Sequence, residues 1–282
     1  MQHKPLSSRR VNWHEAASCA MQIELREYSD ILEYKSEYLL GKNNYRIDLL
    51  IIKKLADIKI LKNIARIFQT FNLFEIKGLG SSVDMDSYYK TIGYAGLFIN
   101  QTGKRGQYSS LDISLSFLSC HYPRKLITHL RKERKIIVEK SSPGVYHINK
   151  ETFDAQIIVT KELLPEQNLY LRCLTNSLQN SRLVNQLIDD YKLHQEQNIY
   201  IKYMHQLTIA NSKTKGDSPM ISEGTLNLCN IISADIIERT KKEEAEYYLP
   251  KINLLSSQNE YLKSLLKQNN IPFHLEAGMD NK

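Results

Sequence analysis

Cysteine is scarce in this chain and never paired: Cys19, Cys120, Cys173 and Cys229 lie far apart, with no CxxC and no histidine at zinc-ligand spacing. A disulfide framework and a structural zinc are therefore not expected, and a reducing, cytoplasmic setting fits. Long apolar runs are missing too. No window approaches the roughly 18 apolar residues of a membrane span, and residues 1–16 hold no apolar core of the kind a secretory leader needs. Three catalytic signatures are also absent: the GxSxG elbow, HExxH, and the GK[ST] of a P-loop. Gly78-Leu79-Gly80-Ser81-Ser82 follows a strand-like run, but it lacks the third glycine of GxGxxG. Nucleotide-cofactor enzymes and NTPases are thereby disfavoured.

What remains is an ordinary globular profile with a basic balance. The 282 residues are 42% hydrophobic and 24% charged, with a formal net charge of +7. Such a balance hints at a polyanionic partner, most often nucleic acid. Residues 1–11 are polar and read as loose. The spacing of Trp13, Ala16, Ala17, Ala20, Ile23 and Leu25 predicts a helix from Trp13 to about Tyr28. Ile31–Leu40 and Tyr45–Ile52 read as a hairpin joined by Gly41-Lys42-Asn43-Asn44. Phe71–Lys77, Ile113–Leu118, Val145–Ile148 and Gln156–Val159 read as further strands. Helices are expected over Met85–Ile99, capped by Asp84 or Ser82, and over Pro123–Lys132. The order helix, strand, strand, strand, helix, strand predicts an α/β chain with a mixed sheet. After residue 165 the pattern turns helical, over Asn168–Leu178, Ser181–Leu193, Tyr200–Ile209, Leu226–Arg239 and Lys251–Leu266, with Asn211–Gly224 as a mobile linker. The domains expected are 1–165 and 166–282. Leu255, Leu262 and Leu266 form a short stripe, read as docked on the protein's own core rather than as a brief coiled coil. These C-terminal helices also offer a surface for homo-oligomer formation.

The chemistry concentrates in two strands. Glu75 and Lys77 are two apart, so they share one strand face while Phe74 and Ile76 take the other. Asp48 interrupts the nearly continuous apolar run Ile47–Ile52, and a buried carboxylate needs a partner or a role. Together Asp48, Glu75 and Lys77 read as a hydrolytic centre for Mg²⁺ or Mn²⁺, with the Ile76 carbonyl as a further oxygen ligand. Glu75 and Lys77 would equally form a plain cross-strand ion pair.

The pieces Trp13-His14-Glu15-Ala16, the run Tyr45–Lys54 containing Asp48, Phe74-Glu75-Ile76-Lys77, and Tyr88–Ala95 resemble the PD-(D/E)XK nuclease superfamily, over about residues 11–165. Within it they are similar to bacterial chains akin to the recombination-promoting nuclease and transposase-like family. The resemblance implies a restriction-endonuclease-like αβββαβ core and metal-dependent cleavage of phosphodiester bonds in DNA, with RNA open and no membrane partner. It implies Glu15 as the helix acid, although Glu24 and Glu27 are also available, with His14 assisting. It implies that polar residues on the helix after the ExK strand, here Lys90 and Tyr94, reach the phosphate. The superfamily's proline is absent, since Ile47 precedes Asp48, and the long Asp48–Glu75 spacing requires Lys53–Thr70 to loop out. The basic stretch with Arg124, Lys125, Arg131 and Lys132 reads either as a grip on backbone phosphates or as a solvated helix face. Two further functions stay open on the same residues: a binding protein that does not cut, and an oligomeric scaffold.

Overall fold

Alternating and continuous apolar runs assemble into a seven-stranded mixed sheet. The structure, a computed structural model, describes residues 11–41, 45–55, 58–149, 152–178, 181–211 and 223–269. In chain order its elements are α1 (Trp13–Glu24), β1 (Leu32–Leu40), β2 (Tyr45–Lys53), β3 (Phe71–Ile76), α2 (Met85–Gln101), β4 (Ile113–Ser119), α3 (Arg124–Lys132), β5 (Ile137–Ser142), β6 (Val145–Asn149) and β7 (Asp154–Val159). The helices α4 (Pro165–Arg172), α5 (Ser181–His194), α6 (Asn198–Asn211) and α7 (Glu223–Gln268) follow. The strand order is β1-β2-β3-β4-β7-β6-β5. β4 runs parallel to β3 and β7, and every other neighbouring pair is antiparallel. The expected α/β class and the order α1-β1-β2-β3-α2-β4 are both present.

The two sheet faces are built differently. Phe71, Leu73, Ile113, Leu115, Phe117 and Ile157 meet Tyr88 and Phe98 of α2 and Leu126, Ile127 and Leu130 of α3 in one buried cluster. α1 lies against the opposite face, where Ser18 Oγ is 2.7 Å from Ser36 Oγ. Small residues on α1, Ala16, Ala17 and Ala20, are fully buried and permit close approach. α4 and α6 then pack on α1.

Contacts divide the chain into a compact unit ending at Ile232 and a second beginning at Ser233. α4, α5 and α6 thus belong with the sheet, whereas the sequence reading set its boundary at 165/166. Other differences have local causes. The first helix stops at Glu24, and Arg26–Tyr28 form a 3₁₀ turn. Between β2 and β3, Asn63–Ala65 form a 3₁₀ turn. α4 starts at Pro165, whose fixed φ suits a first helical position, and it ends at Arg172 rather than Leu178. β5 went unread because its only apolar residues are Ile137 and Val138; pairing with β6 makes it a strand. Two expected C-terminal helices are one, since α7 continues through Pro250. Its stripe is not docked: Leu255 and Leu262 are 59% and 54% exposed. Residues 1–10, 42–44 and 212–222, covering the loose N-terminal segment, the hairpin turn and most of the linker, lie outside the described residues. Among the described residues no helix is long and apolar enough to cross a membrane. Cys19, Cys120 and Cys173 are free and buried.

Candidate metal centre

Sheet register gathers the acids. Leu49 lies opposite Phe74 and Leu50 opposite Leu73. Just beyond the last of these pairs, Glu75 lies close enough to Asp48 for its charge to act on it. On the other side of β2, Ser36 faces Leu49 and Tyr38 faces Ile47, and between these pairs Glu37 and Asp48 both come within ligand distance of His14. Carboxylates from three adjacent strands thus form a row centred on Asp48. Lys77 follows Glu75 by two residues and so joins the same side.

The row is buried at its centre. Asp48 is 9% exposed and Glu75 4%. The Ile76 N–H donates to Asp48 Oδ2 at 2.7 Å. Burial and the neighbouring charge of Glu75 raise the Asp48 pKa, against the opposing pull of the Ile76 N–H, His14 and Lys90. Glu75 sits between two ammonium groups, with Lys77 Nζ at 2.9 Å and Lys90 Nζ at 2.7 Å. Burial works against the charge on Lys90, but its contact with Glu75 and the field of Asp48 outweigh that and raise its pKa. Lys90 Nζ also stands 5.7 Å from the Tyr94 ring centroid, and Tyr94 leans on Tyr45. Lys90 and Tyr94 thus share a helix face as expected, with Lys90 engaged by Glu75.

α1 contributes histidine to this row. Asn12 caps the helix, its side chain accepting from the Glu15 N–H at 3.2 Å. His14 Nδ1 then stands 2.8 Å from Glu37 Oε1 and 3.9 Å from Asp48 Oδ1. Arg46 Nη1 holds the other Glu37 oxygen at 2.7 Å. Glu37 has φ +54°, a left-handed conformation rare outside glycine, asparagine and aspartate. One ligand atom from each of His14, Glu37 and Asp48 lies within 4.8 Å of the other two. Next to His14 and Glu37 opens a cavity of about 490 Å³, lined also by Glu15, Ser18, Asn198 and Lys202.

The acids read from the first helix go elsewhere. Glu15 Oε2 accepts from Gln206 Nε2 at 2.8 Å, and Gln206 Oε1 accepts from the Asn12 N–H at 2.9 Å, so Glu15 is tied to α6. Glu24 is buried. It accepts from the Tyr170 N–H at 2.7 Å and pairs with Lys62 at 3.0 Å, which ties α1 to α4. Burial raises its pKa. Glu27 is exposed. None of the three joins the group of His14, Glu37 and Asp48.

On α3, Arg124, Lys125, Arg131 and Lys132 are exposed, and Arg131 also donates to the Val138 carbonyl. His129 is held between Tyr89 Oη at 2.9 Å and Glu133 at 2.8 Å. Sequence reasoning missed Glu37. The hairpin carried the signal, because pairing Leu40 with Tyr45 across the turn brings residue 37 near residue 48. No protein-family model, no curated protein and no solved structure matches this chain.

Proposed function

We propose that this chain is a metal-dependent nuclease with a restriction-endonuclease-like PD-(D/E)XK core, hydrolysing phosphodiester bonds in DNA or RNA, in the movement of mobile elements or in genome defence. One observation carries the reading: Asp48 on β2 has His14 and Glu37 within ligand distance and the charge of Glu75, itself paired with Lys77, acting on it from β3. The element order α1-β1-β2-β3-α2-β4 supports it. The donor set of carboxylate oxygens and one imidazole nitrogen suits a hard divalent cation, and burial, with the charge of Glu75 added, raises the Asp48 pKa, a cost to its carboxylate that a cation would offset. Asp48, Glu75 and the Ile76 carbonyl would hold Mg²⁺ or Mn²⁺, with His14 and Glu37 as further ligands. When bound, the ion would supply an activated water and charge neutralisation at phosphorus.

The chain's own groups account for the rest. Lys77 orients the water and offsets charge on the five-coordinate phosphorus. The water oxygen bonds to phosphorus as the water gives up a proton to solvent, the ester P–O bond breaks, and the leaving oxygen takes a proton from solvent. The exposed cations of α3 hold backbone phosphates without reading bases. The test is cleavage of plasmid, single-stranded DNA and RNA with Mg²⁺ or Mn²⁺ by the wild type, Asp48→Ala and Lys77→Ala. Cleavage lost in both variants is expected; equal cleavage by all three overturns the assignment.

A second reading has its own observation. Lys77 and Lys90 together neutralise Glu75 with no cation needed, which suits a nucleic-acid-binding protein that does not cut. Salt-sensitive binding without cleavage under every metal would favour it.

A further inference from the structure

The long C-terminal helix has an exposed face with a register of its own. Tyr248, Ile252, Leu255 and Leu262 are each more than half exposed, and Asn259 is exposed with them. Along α7 the positions 248, 252, 255, 259, 262 and 266 advance by alternating steps of four and three. That is the spacing of a coiled-coil seam, where residues recur about every 3.5 positions on one stripe. In heptad terms Ile252, Asn259 and Leu266 take the a positions, and Tyr248, Leu255 and Leu262 take the d positions. Leucine at two of the three d positions and a β-branched isoleucine at the first a position are the preferences of a two-stranded parallel pair.

Asn259 identifies the occupant. It is the one polar residue in this seam, and burying an amide without a hydrogen-bond partner is costly. In a parallel two-fold pair, a faces a and d faces d, so Asn259 meets Asn259 of the second copy. An amide both donates and accepts, so the two satisfy each other. An antiparallel pair sets a against d and leaves Asn259 against leucine. An unrelated apolar surface offers it nothing, whereas a second copy supplies the matching amide by symmetry. Flanking positions agree: in the parallel pair Lys251 faces Ser256 and Gln258 faces Lys263 across the seam, so no like charges meet. Pro250 falls at the f position, farthest from the seam.

We propose that α7 joins two copies of this chain as a parallel, in-register coiled coil over residues 248–266. The inference rests on α7 alone and stands or falls independently of the metal centre. The test is sedimentation equilibrium of the full chain over a concentration series. The expected mass rises to twice the chain's 32.8 kDa. Leu255→Asp with Leu262→Asp, both on exposed positions, should return it to the single-chain mass while the thermal unfolding of the sheet unit stays unchanged. Leu262→Cys should form an intermolecular disulfide on mild oxidation, and Leu254→Cys, on the c position, should not. A single-chain mass at every concentration overturns the proposal. So does a wild-type assembly of three or more chains, a dimer that survives the double substitution, or equal cross-linking through residue 254.

Discussion

Two polar clusters on the central sheet are made on opposite terms. On the α1 face, Asn72 closes a neutral network. Its Oδ1 accepts from the Gln69 N–H at 2.8 Å and from Ser114 Oγ at 2.6 Å, and its Nδ2 donates to the Ile51 and Gln69 carbonyls at 3.0 Å each. Every hydrogen-bonding site on that amide is used. In the other, Asp48 stands between Glu75 and the His14–Glu37 pair, and burial together with the charge of Glu75 pushes its carboxyl toward protonation. A polar group that spends all its valence on neighbours stabilises the fold; one left with unbalanced charge is available for a ligand.

The sharpest way to break this contrast is to exchange charge for neutrality at Asp48. Asp48→Asn is expected to lower phosphodiester cleavage by about three orders of magnitude or more, as when a main transition-state electrostatic contact is lost. The same change should leave stability equal or raise it by about 0.5–1 kcal/mol, since an uncomfortable buried charge goes. Single-turnover cleavage and urea unfolding of one preparation read both. Asn72→Ala should do the reverse. It removes four hydrogen bonds made by one buried amide, so it should cost about 2–4 kcal/mol, read as a lowered urea midpoint. Cleavage per folded molecule should stay near wild type.

A smaller effect is expected away from both clusters. Arg124→Ala with Lys125→Ala should weaken nucleic-acid binding uniformly across sequences. If both residues meet phosphate, the slope of log affinity against log salt should fall by about 2. Fluorescence anisotropy at several salt concentrations checks this; an unchanged slope makes α3 a solvated face. The smallest effect concerns His147 on β6. Burial and the charge of Arg66 lower its pKa below the ordinary histidine value, against Asp154 and Glu139. A depressed folded pKa means stability is full above about 6.5, the unfolded value, and is lost as the pH falls through the folded value. His147→Gln should flatten the decline in the thermal midpoint below pH 6.5.

Strand alternation made Asp48, Glu75 and Lys77 legible, because period two is a local property of the backbone. The sheet class followed from the same patterns. What escaped depends on long-range partners. Glu15 and His14 are adjacent in a first helical turn, and sequence alone does not say which one α6 claims through Gln206. Glu37 looks like a charge on an edge strand until the hairpin register is counted. α7 was split in two because Lys241–Glu246 is polar all round and a proline follows. Those lysines, glutamates and alanine are good helix formers, and on an exposed helix their propensity carries the chain through.

The left-handed backbone at Glu37 has a practical corollary. A residue with a Cβ held there carries about 1 kcal/mol of conformational cost that glycine would not. Laboratory evolution toward heat tolerance alone should therefore replace residue 37 by glycine or asparagine early, while lineages also required to keep cleaving should retain glutamate. The identity of that one position in surviving clones would report which pressure had been acting.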